Sequence, residues 1–411
     1  MTETVSTTRA TTCAIAGGGP AGMMLGLLLA RAGVDVTVIE KHADFLRDFR
    51  GDTIHPSTLE VISELGLEDA FLKLPHTRAE KLSAEMGGRT VTIADFSRLP
   101  VRHRFIAFMP QWDFLDFLSS EARRYPNFHL MMATAVEDVL TEDGRVCGLA
   151  LTTEEGPLTL RCELVVAADG RNSVVRAKAG LHVDTFGSPS ELVWMKLSKQ
   201  PGDPAGTMGH AGPRQGFVLI DRGDYWQCGY IVRRGTFSEI QDRDIELFRA
   251  RVREVSPLPA ERMDEIRSWE DVSLLQVRID RLRQWWRPGL IAIGDAAHAM
   301  SPIGGVGVNL AIQDAVAAAN ILAAPLKEGR LGDAHLAAVE KRRLFPTKAT
   351  QKLQLMMRSG RRKDEGDAEK RKGPPAFIRG IARFPLLAHL AGRLIGLGFR
   401  MERPRSPATW R

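Results

Sequence analysis

Residues 13–40 read CAIAGGGPAGMMLGLLLARAGVDVTVIE, and the fold class follows from them. Cys13 to Ala16 is a short apolar run that stops at three glycines. Ala21 to Ala32 reads as an apolar helix. Val34 to Ile39 alternates with β-branched residues and ends on Glu40. Strand, turn, helix, strand makes a βαβ unit. Within it Gly17, Gly19 and Gly22 form G-x-G-x-x-G on the strand-to-helix turn. Gly17 allows the tight turn, Gly19 lets the backbone approach a pyrophosphate, and Gly22 permits close helix–strand packing. Pro20 and Ala21 open a helix whose N-terminus faces the phosphates. Glu40, followed by Lys41, is placed to accept hydrogen bonds from ribose hydroxyls. This stretch predicts a dinucleotide site without choosing between NAD and FAD.

Working outward, Pro56 to Leu67 reads as a helix with Ser57 as its cap, and His55 either points toward the site or merely starts that helix. Arg89 to Ile93 and Phe105 to Phe108 read as strands, and Trp112 to Arg124 as a helix. Val146 to Leu151 and Leu158 to Leu160 form a hairpin around Glu155-Gly156, and Leu164 to Ala168 is a further strand. Leu192 to Leu197, Gly216 to Ile220, Tyr225 to Val232 and Val272 to Val277 are strands separated by breakers. Leu290 to Ile293 is another buried strand, and Val308 to Leu322 an Ala-rich helix. The expected fold is therefore α/β: a doubly wound, Rossmann-like domain (1–75, 100–184 and 276–330) interrupted by a mostly antiparallel sheet (76–99 and 185–275). C-terminal helices over 331–411 follow. The charged, breaker-rich stretch Ser359 to Pro375 reads as a link.

Two further motifs separate the cofactors. Asp169-Gly170 follows a strand and leads to a basic helix start that contains Arg171 and Arg176. Gly294-Asp295 follows another strand, and its loop continues through Pro302-Ile303-Gly304-Gly305-Val306-Gly307-Val308-Asn309 into the Ala-rich helix. With all three motifs in this order, residues 1–330 resemble the group A flavoprotein aromatic hydroxylases, the 4-hydroxybenzoate hydroxylase family. The resemblance implies FAD held by Gly17, Gly19, Gly22 and Glu40, by Arg50, by Gln111 of Met109-Pro110-Gln111, and by Asp295. Asp169, Gly170 and Arg176 match a motif shared between FAD support and NAD(P)H docking. The 302–309 loop would lie against the isoalloxazine, where backbone N–H groups and the helix start favour negative charge on the reduced ring. Pro302, Gly304, Gly305, Val306 and Gly307 thus take the place of a catalytic acid and base, and His298 in the approach to the loop reads as structural. Ser301 and Val306 depart from the commonest family residues.

The implied reaction has NADPH or NADH reducing the flavin transiently, since only one dinucleotide fingerprint is visible. Reduced flavin and O2 then give a C4a-hydroperoxide that hydroxylates a phenolic or heteroaromatic ring. Substrate candidates on the middle sheet are Trp194, Phe217, Tyr225, Trp226 and Tyr230. Alternation sets Tyr225, Gln227 and Gly229 on one face and Trp226, Cys228 and Tyr230 on the other, so only one set lines a pocket. Two alternatives stay open: an FAD-dependent reductase or dehydrogenase of a hydrophobic or isoprenoid substrate, and a flavin-containing binding protein without turnover. Trp285-Trp286 lacks the W-x-W-x-I-P spacing of a halogenase.

Charge narrows the partners. The net is +6, but Lys341 to Arg411 holds 19 Lys/Arg against 5 Asp/Glu, a net of +14 that leaves −8 for the first 340 residues. An acidic body with a basic tail is not a nucleic-acid coat. Residues 376–400 either rest on a membrane surface as an amphipathic helix kinked at Pro385, or dock on the body, which is favoured. Four scattered cysteines suggest neither a metal site nor a disulfide framework, in keeping with a cytoplasmic setting. The N-terminus lacks an apolar signal core, and no run of about 18 apolar residues is expected to span a bilayer. The chain is read as a monomer or homodimer.

Overall fold

Five parallel strands carry the cofactor-type half, in the order Phe128–Met131, Val36–Ile39, Thr7–Ala16, Gly156–Ala167, Leu290–Ala292. In chain order this is 3-2-1-4-5, so connectivity reverses between Thr7–Ala16 and Gly156–Ala167. Ligands bind such sheets at the carboxyl ends of the strands flanking the reversal. The computed structural model describes residues 7–46, 53–86, 89–187, 190–204, 206–211, 216–365, 380 and 384–408. Cys13, Ile15, Val36 and Val38 are fully buried, as a parallel sheet covered on both faces requires.

Leu158 to Leu160 and Leu164 to Ala168, expected as two strands, are one strand, Gly156–Ala167. Its first half pairs antiparallel with Arg145–Thr153, while its whole length runs parallel to Thr7–Ala16. Arg161, Cys162 and Glu163 break the apolar pattern without breaking the ladder.

The second sheet has the order Val272–Gln276, Ser190–Ser198, Tyr225–Arg233, Gly216–Asp221, Met208–Ala211, Lys81–Met86, Arg89–Asp95. All pairs are antiparallel except Met208–Ala211 with Lys81–Met86. One face buries Phe217, Trp226 and Tyr230 against Phe237, Phe248 and Met263, which come from helices and turns after residue 235. The other face turns Trp194, Val218 and Ile220 toward Phe96, Leu99 and Leu397.

The helix of residues 306–327 (the core helix, Val306–Lys327) is long and apolar enough to cross a bilayer, contrary to the expectation that no such run exists. It packs inside the protein with 72% of its apolar window buried. Ala-rich turns let the Gly22 helix, Pro20–Arg31, lie close beside it.

Parts of the tail pack on this body. The long tail helix, Asp333–Glu365, sends Arg343 into the interior, and the last helix, Pro385–Gly396, seats Gly392 against the backbone of Asp95. Pro385 opens this helix at its first turn rather than kinking a longer one, which suits a residue without an N–H. Leu386 and Leu390 face outward, 73% and 53% exposed. Residues 376–379 and 381–383 of the expected amphipathic stretch lie outside the described residues.

Candidate active site

The glycine turn sits at the connectivity reversal. Gly17 has φ 104° and its N–H donates to Ile39 O at 2.7 Å. A Cβ on Gly17 would stand 2.4 Å from Ala168 O, and one on Gly22 would stand 1.9 Å from Gly17 O. Gly19 differs: a Cβ there would meet no atom within 4 Å. Two of the three glycines are therefore demanded by packing, while the third borders open space. The helix starting at Pro20 has no side-chain cap among the described residues and no acidic residue in its first turn. Its first N–H groups remain available to an anion.

Glu40 is buried at the rim of this turn. Its Oε2 accepts from Gly18 N at 2.9 Å and its Oε1 from His42 N at 3.2 Å. Lys41 beside it is exposed. Gln111 is the first residue of the helix Gln111–Ala122 and partly buried. Arg50 lies outside the described residues.

Asp169 and Ser173 fold the next loop onto itself. Asp169 Oδ1 accepts from Ser173 Oγ at 2.5 Å and Oδ2 from Val175 N at 3.1 Å. Burial pushes the Asp169 carboxyl up from its ordinary value, with these hydrogen bonds opposing. Arg176 is buried and spans two loops, donating to Ala296 O at 3.0 Å and Arg171 O at 2.5 Å. Arg171 in turn reaches Asp295 Oδ2 at 3.2 Å. The structure thus brings Asp169, Gly170, Arg176, Gly294 and Asp295 together around the strand ends. Arg176 is occupied by backbone carbonyls there.

Gly294, φ 59°, is left-handed and tight for a side chain between Ala21 and Ala311, whose Cβ atoms would each lie 3.1 Å away. The loop then passes Pro302 and turns through Gly304 (φ 78°) and Gly305 (φ 63°), left-handed conformations that favour glycine. Val306 begins the core helix, followed by Gly307, Val308 and Asn309. This second helix end is likewise uncapped by any described side chain and has no acid in its first turn. Asn309 locks the loop: its Oδ1 accepts from His55 N and Thr58 Oγ1, and its Nδ2 donates to Thr53 O and Gly305 O. Two uncapped N-termini and an open Gly19 fit a ligand with an anionic pyrophosphate and a ring that gains negative charge.

Sequence reasoning missed Asp314, Arg343 and Glu402 and left His55 between two readings. His55, not Ser57, holds the N-cap position of the helix Pro56–Glu64, without a side-chain cap hydrogen bond: with Pro56 as the first helical residue, Ser57 is already the second. His55 is fully buried, its Nδ1 lies 2.8 Å from Ile395 O of the last helix, and burial lowers its pKa to about 4. Asp314, Arg343 and Glu402 form a buried ionic chain behind the loop. Asp314 meets Gly294 N at 3.1 Å, His298 Nε2 at 2.5 Å and Arg343 Nε at 2.8 Å. His298 is thus occupied by Asp314 and lies against Trp285, with the two rings tilted by 41°.

Among the substrate candidates, Phe217, Trp226 and Tyr230 belong to the helix-covered core, at most 1% exposed, and do not face the cofactor half. The later helices cover the face they occupy, which alternation alone does not reveal. Trp194 lies on the opposite face, against Gly229, where a Cβ would approach Trp194 within 2.8 Å. Tyr225 shares that face and holds Lys196 Nζ 4.3 Å from its ring centre.

The family described as FAD binding domain matches residues 10–353. The chain belongs to the FAD-dependent aromatic hydroxylases. This hydroxylase is 33% identical over 344 residues to 6-methylpretetramide 4-monooxygenase of Streptomyces rimosus, covering 83% of this chain and 82% of the relative. It is 26% identical to para-nitrophenol 4-monooxygenase of a Pseudomonas species, covering 77% and 78%. The fold is shared with the solved anhydrotetracycline hydroxylase of Streptomyces rimosus, with a TM-score of 0.74 at 23% identity, over 94% of this chain and 76% of that one. The hydroxylase is an FAD-dependent oxidoreductase.

Proposed function

We propose that this hydroxylase uses NAD(P)H and O2 to add a hydroxyl group to a phenolic or other electron-rich aromatic small molecule. The observation that supports this is the delivery of an uncapped helix end, through Gly304 and Gly305, to the cleft assigned to FAD in this reading. Flavin, when bound, supplies the reduction and oxygen chemistry. The protein's own part is electrostatic and geometric. N–H groups of Val306 to Val308 face developing negative charge, Asn309 fixes the loop that presents them, and Gly17, Gly19, Glu40 and Asp295 position the cofactor.

In this reading residues 1–75, 100–184 and 276–330 form the FAD domain, 76–99 and 185–275 the substrate domain, and 331–411 a segment that braces both. Trp194 and Tyr225, on the face turned toward the cofactor half, are the substrate-side aromatics. The name of the 33%-identical relative supports placing polycyclic phenols first among substrates to try. A screen of phenols, hydroxypyridines and polyketide-like aromatics tests the reading. NAD(P)H oxidation by the yellow protein accelerates with the right compound. A protein that binds aromatics stoichiometrically across the panel yet never consumes NAD(P)H refutes it.

A further inference from the structure

Eight of the eleven large apolar side chains that stand exposed among the described residues fall between Phe345 and Phe399, so the exposure is concentrated on the tail. On the long tail helix, Lys341, Phe345, Lys348, Lys352 and Met356 are exposed and follow one another at steps of three or four residues, which places them on one outer face. Phe345 is 58% and Met356 62% exposed. No Asp or Glu occurs between Lys341 and Met356. Arg342 and Arg343 are taken up by Glu402 and Asp314, but Lys348 and Lys352 have no acidic partner among the described residues.

The last helix repeats the pattern. Its inner side buries Ala388 and seats Gly392 on Asp95, while Leu386, Leu390 and Arg393 face outward at the same helical spacing. The helix contains no acidic residue, and Arg393 has no acidic partner among the described residues. Exposed Phe399 and Arg400 follow it. The two outer faces are continuous, since the Phe345 and Phe399 rings meet edge-on at 6.3 Å, and Leu353 and Leu394 border one recess between the helices. Large apolar side chains thus alternate with unbalanced cations on one surface, on a chain whose first 340 residues carry a net −8. Exposed apolar surface of this extent marks an interaction site.

We propose that this surface docks the hydroxylase on an anionic lipid bilayer. Phe345, Met356, Leu386 and Leu390 enter the boundary between headgroups and acyl chains, and the lysines and Arg393 meet lipid phosphates. Helix faces that mix Lys or Arg with Leu and Phe bind membrane surfaces through these two contributions together. The charge argues against a second copy of the chain, because an isologous contact sets Lys348, Lys352 and Arg393 near their own equivalents. A nucleic-acid backbone satisfies the cations but leaves Leu386, Leu390 and Met356 in water. A lipid surface offers negative charge and apolar depth in one plane, without pockets cut to each side chain. Membrane contact and docking on the body are then not rivals: the inner faces of the tail helices brace the body, and the outer faces meet the bilayer.

Flotation of the FAD-loaded full chain tests this, with vesicles of pure phosphatidylcholine compared against an equal mixture of phosphatidylcholine and phosphatidylglycerol. The protein should float with the mixed vesicles at low salt, come off as salt rises, and stay behind with the neutral ones. The pair Leu386→Glu and Leu390→Glu, and separately the pair Lys348→Glu and Lys352→Glu, should each weaken binding at least about tenfold. All four positions are exposed, so FAD content and unfolding temperature should stay as in the parent. Lys178→Glu makes the same kind of charge change on the body, where Lys178 is 48% exposed, and should leave binding within about twofold. No flotation at low salt overturns the proposal, as does equal flotation with neutral vesicles or binding that the leucine pair leaves unchanged. A dimer in light scattering that the leucine pair dissolves, without flotation, overturns it in favour of a second copy. Vesicle binding is read without turnover, so its failure and a failure of the hydroxylase chemistry are distinguishable.

Discussion

Arg343→Met should be among the most damaging single substitutions outside the FAD cleft. Asp314 and Arg343 are both fully buried and 2.8 Å apart. Burial works to raise the Asp314 carboxyl, but His298 and Arg343 together hold it below the usual range. Without the guanidinium, Asp314 keeps only His298 and Gly294 N, while Glu402 keeps Arg342. Breaking a buried pair from one side costs about 3–5 kcal/mol, since the remaining charge stays desolvated. At about 1.4 kcal/mol per tenfold, the folded population falls by at least a hundredfold relative to the unfolded. Urea unfolding of the FAD-loaded protein measures this. FAD release should also quicken, because Asp314 anchors Gly294 of the cofactor loop. Arg330→Ala, which breaks an exposed pair with Glu328, should change stability by less than about 1 kcal/mol. Adding Asp314→Asn to Arg343→Met should recover part of the loss. If Arg343→Met unfolds within about 1 kcal/mol of wild type and keeps its FAD, the tail is not the brace described here.

Gly22→Ala should abolish FAD binding, since its Cβ would stand 1.9 Å from a backbone oxygen; flavin absorbance after desalting reports it. Glu40→Ala leaves Gly18 N–H without its acceptor, and FAD titration should show affinity down by about tenfold or more. His55 is about 4 in the fold against about 6.5 unfolded, so the unfolded chain takes up its proton first as pH falls. Its contribution to stability is intact above about pH 6.5 and declines by about 3 kcal/mol on approach to pH 4; His55→Gln should flatten urea midpoints across that range. Trp194→Ala should shift KM for the aromatic substrate more than stability, whereas Trp226→Ala, in the core, should cost about 3–5 kcal/mol with substrate preference unchanged.

What the sequence made legible was local. Gly17 to Glu40, Asp169-Gly170 and Gly294 to Asn309 each announce a strand end and the turn after it, because backbone conformation and close approach restrict those positions to glycine and a few partners. The sheet face could not be chosen the same way. Alternation pairs Trp226 with Tyr230 and Tyr225 with Gln227, but which pair meets solvent, helices or cofactor depends on where residues 236–266 pack. Lys81–Met86 and Met208–Ala211 escaped notice because their polar composition hides short strands held by neighbours far along the chain. The tail was hardest to read. Arg343 and Glu402 look like ordinary surface charges until the fold brings them to Asp314, and Ile395 looks like membrane-facing apolar surface until its carbonyl meets His55.

The central claim is tested most directly by running the reaction with NADPH, a stimulating aromatic compound and isotopically heavy O2, and weighing the product. The account predicts a product heavier by one oxygen atom, drawn from the labelled gas. A product formed equally well without O2, or carrying an unlabelled oxygen, would contradict it.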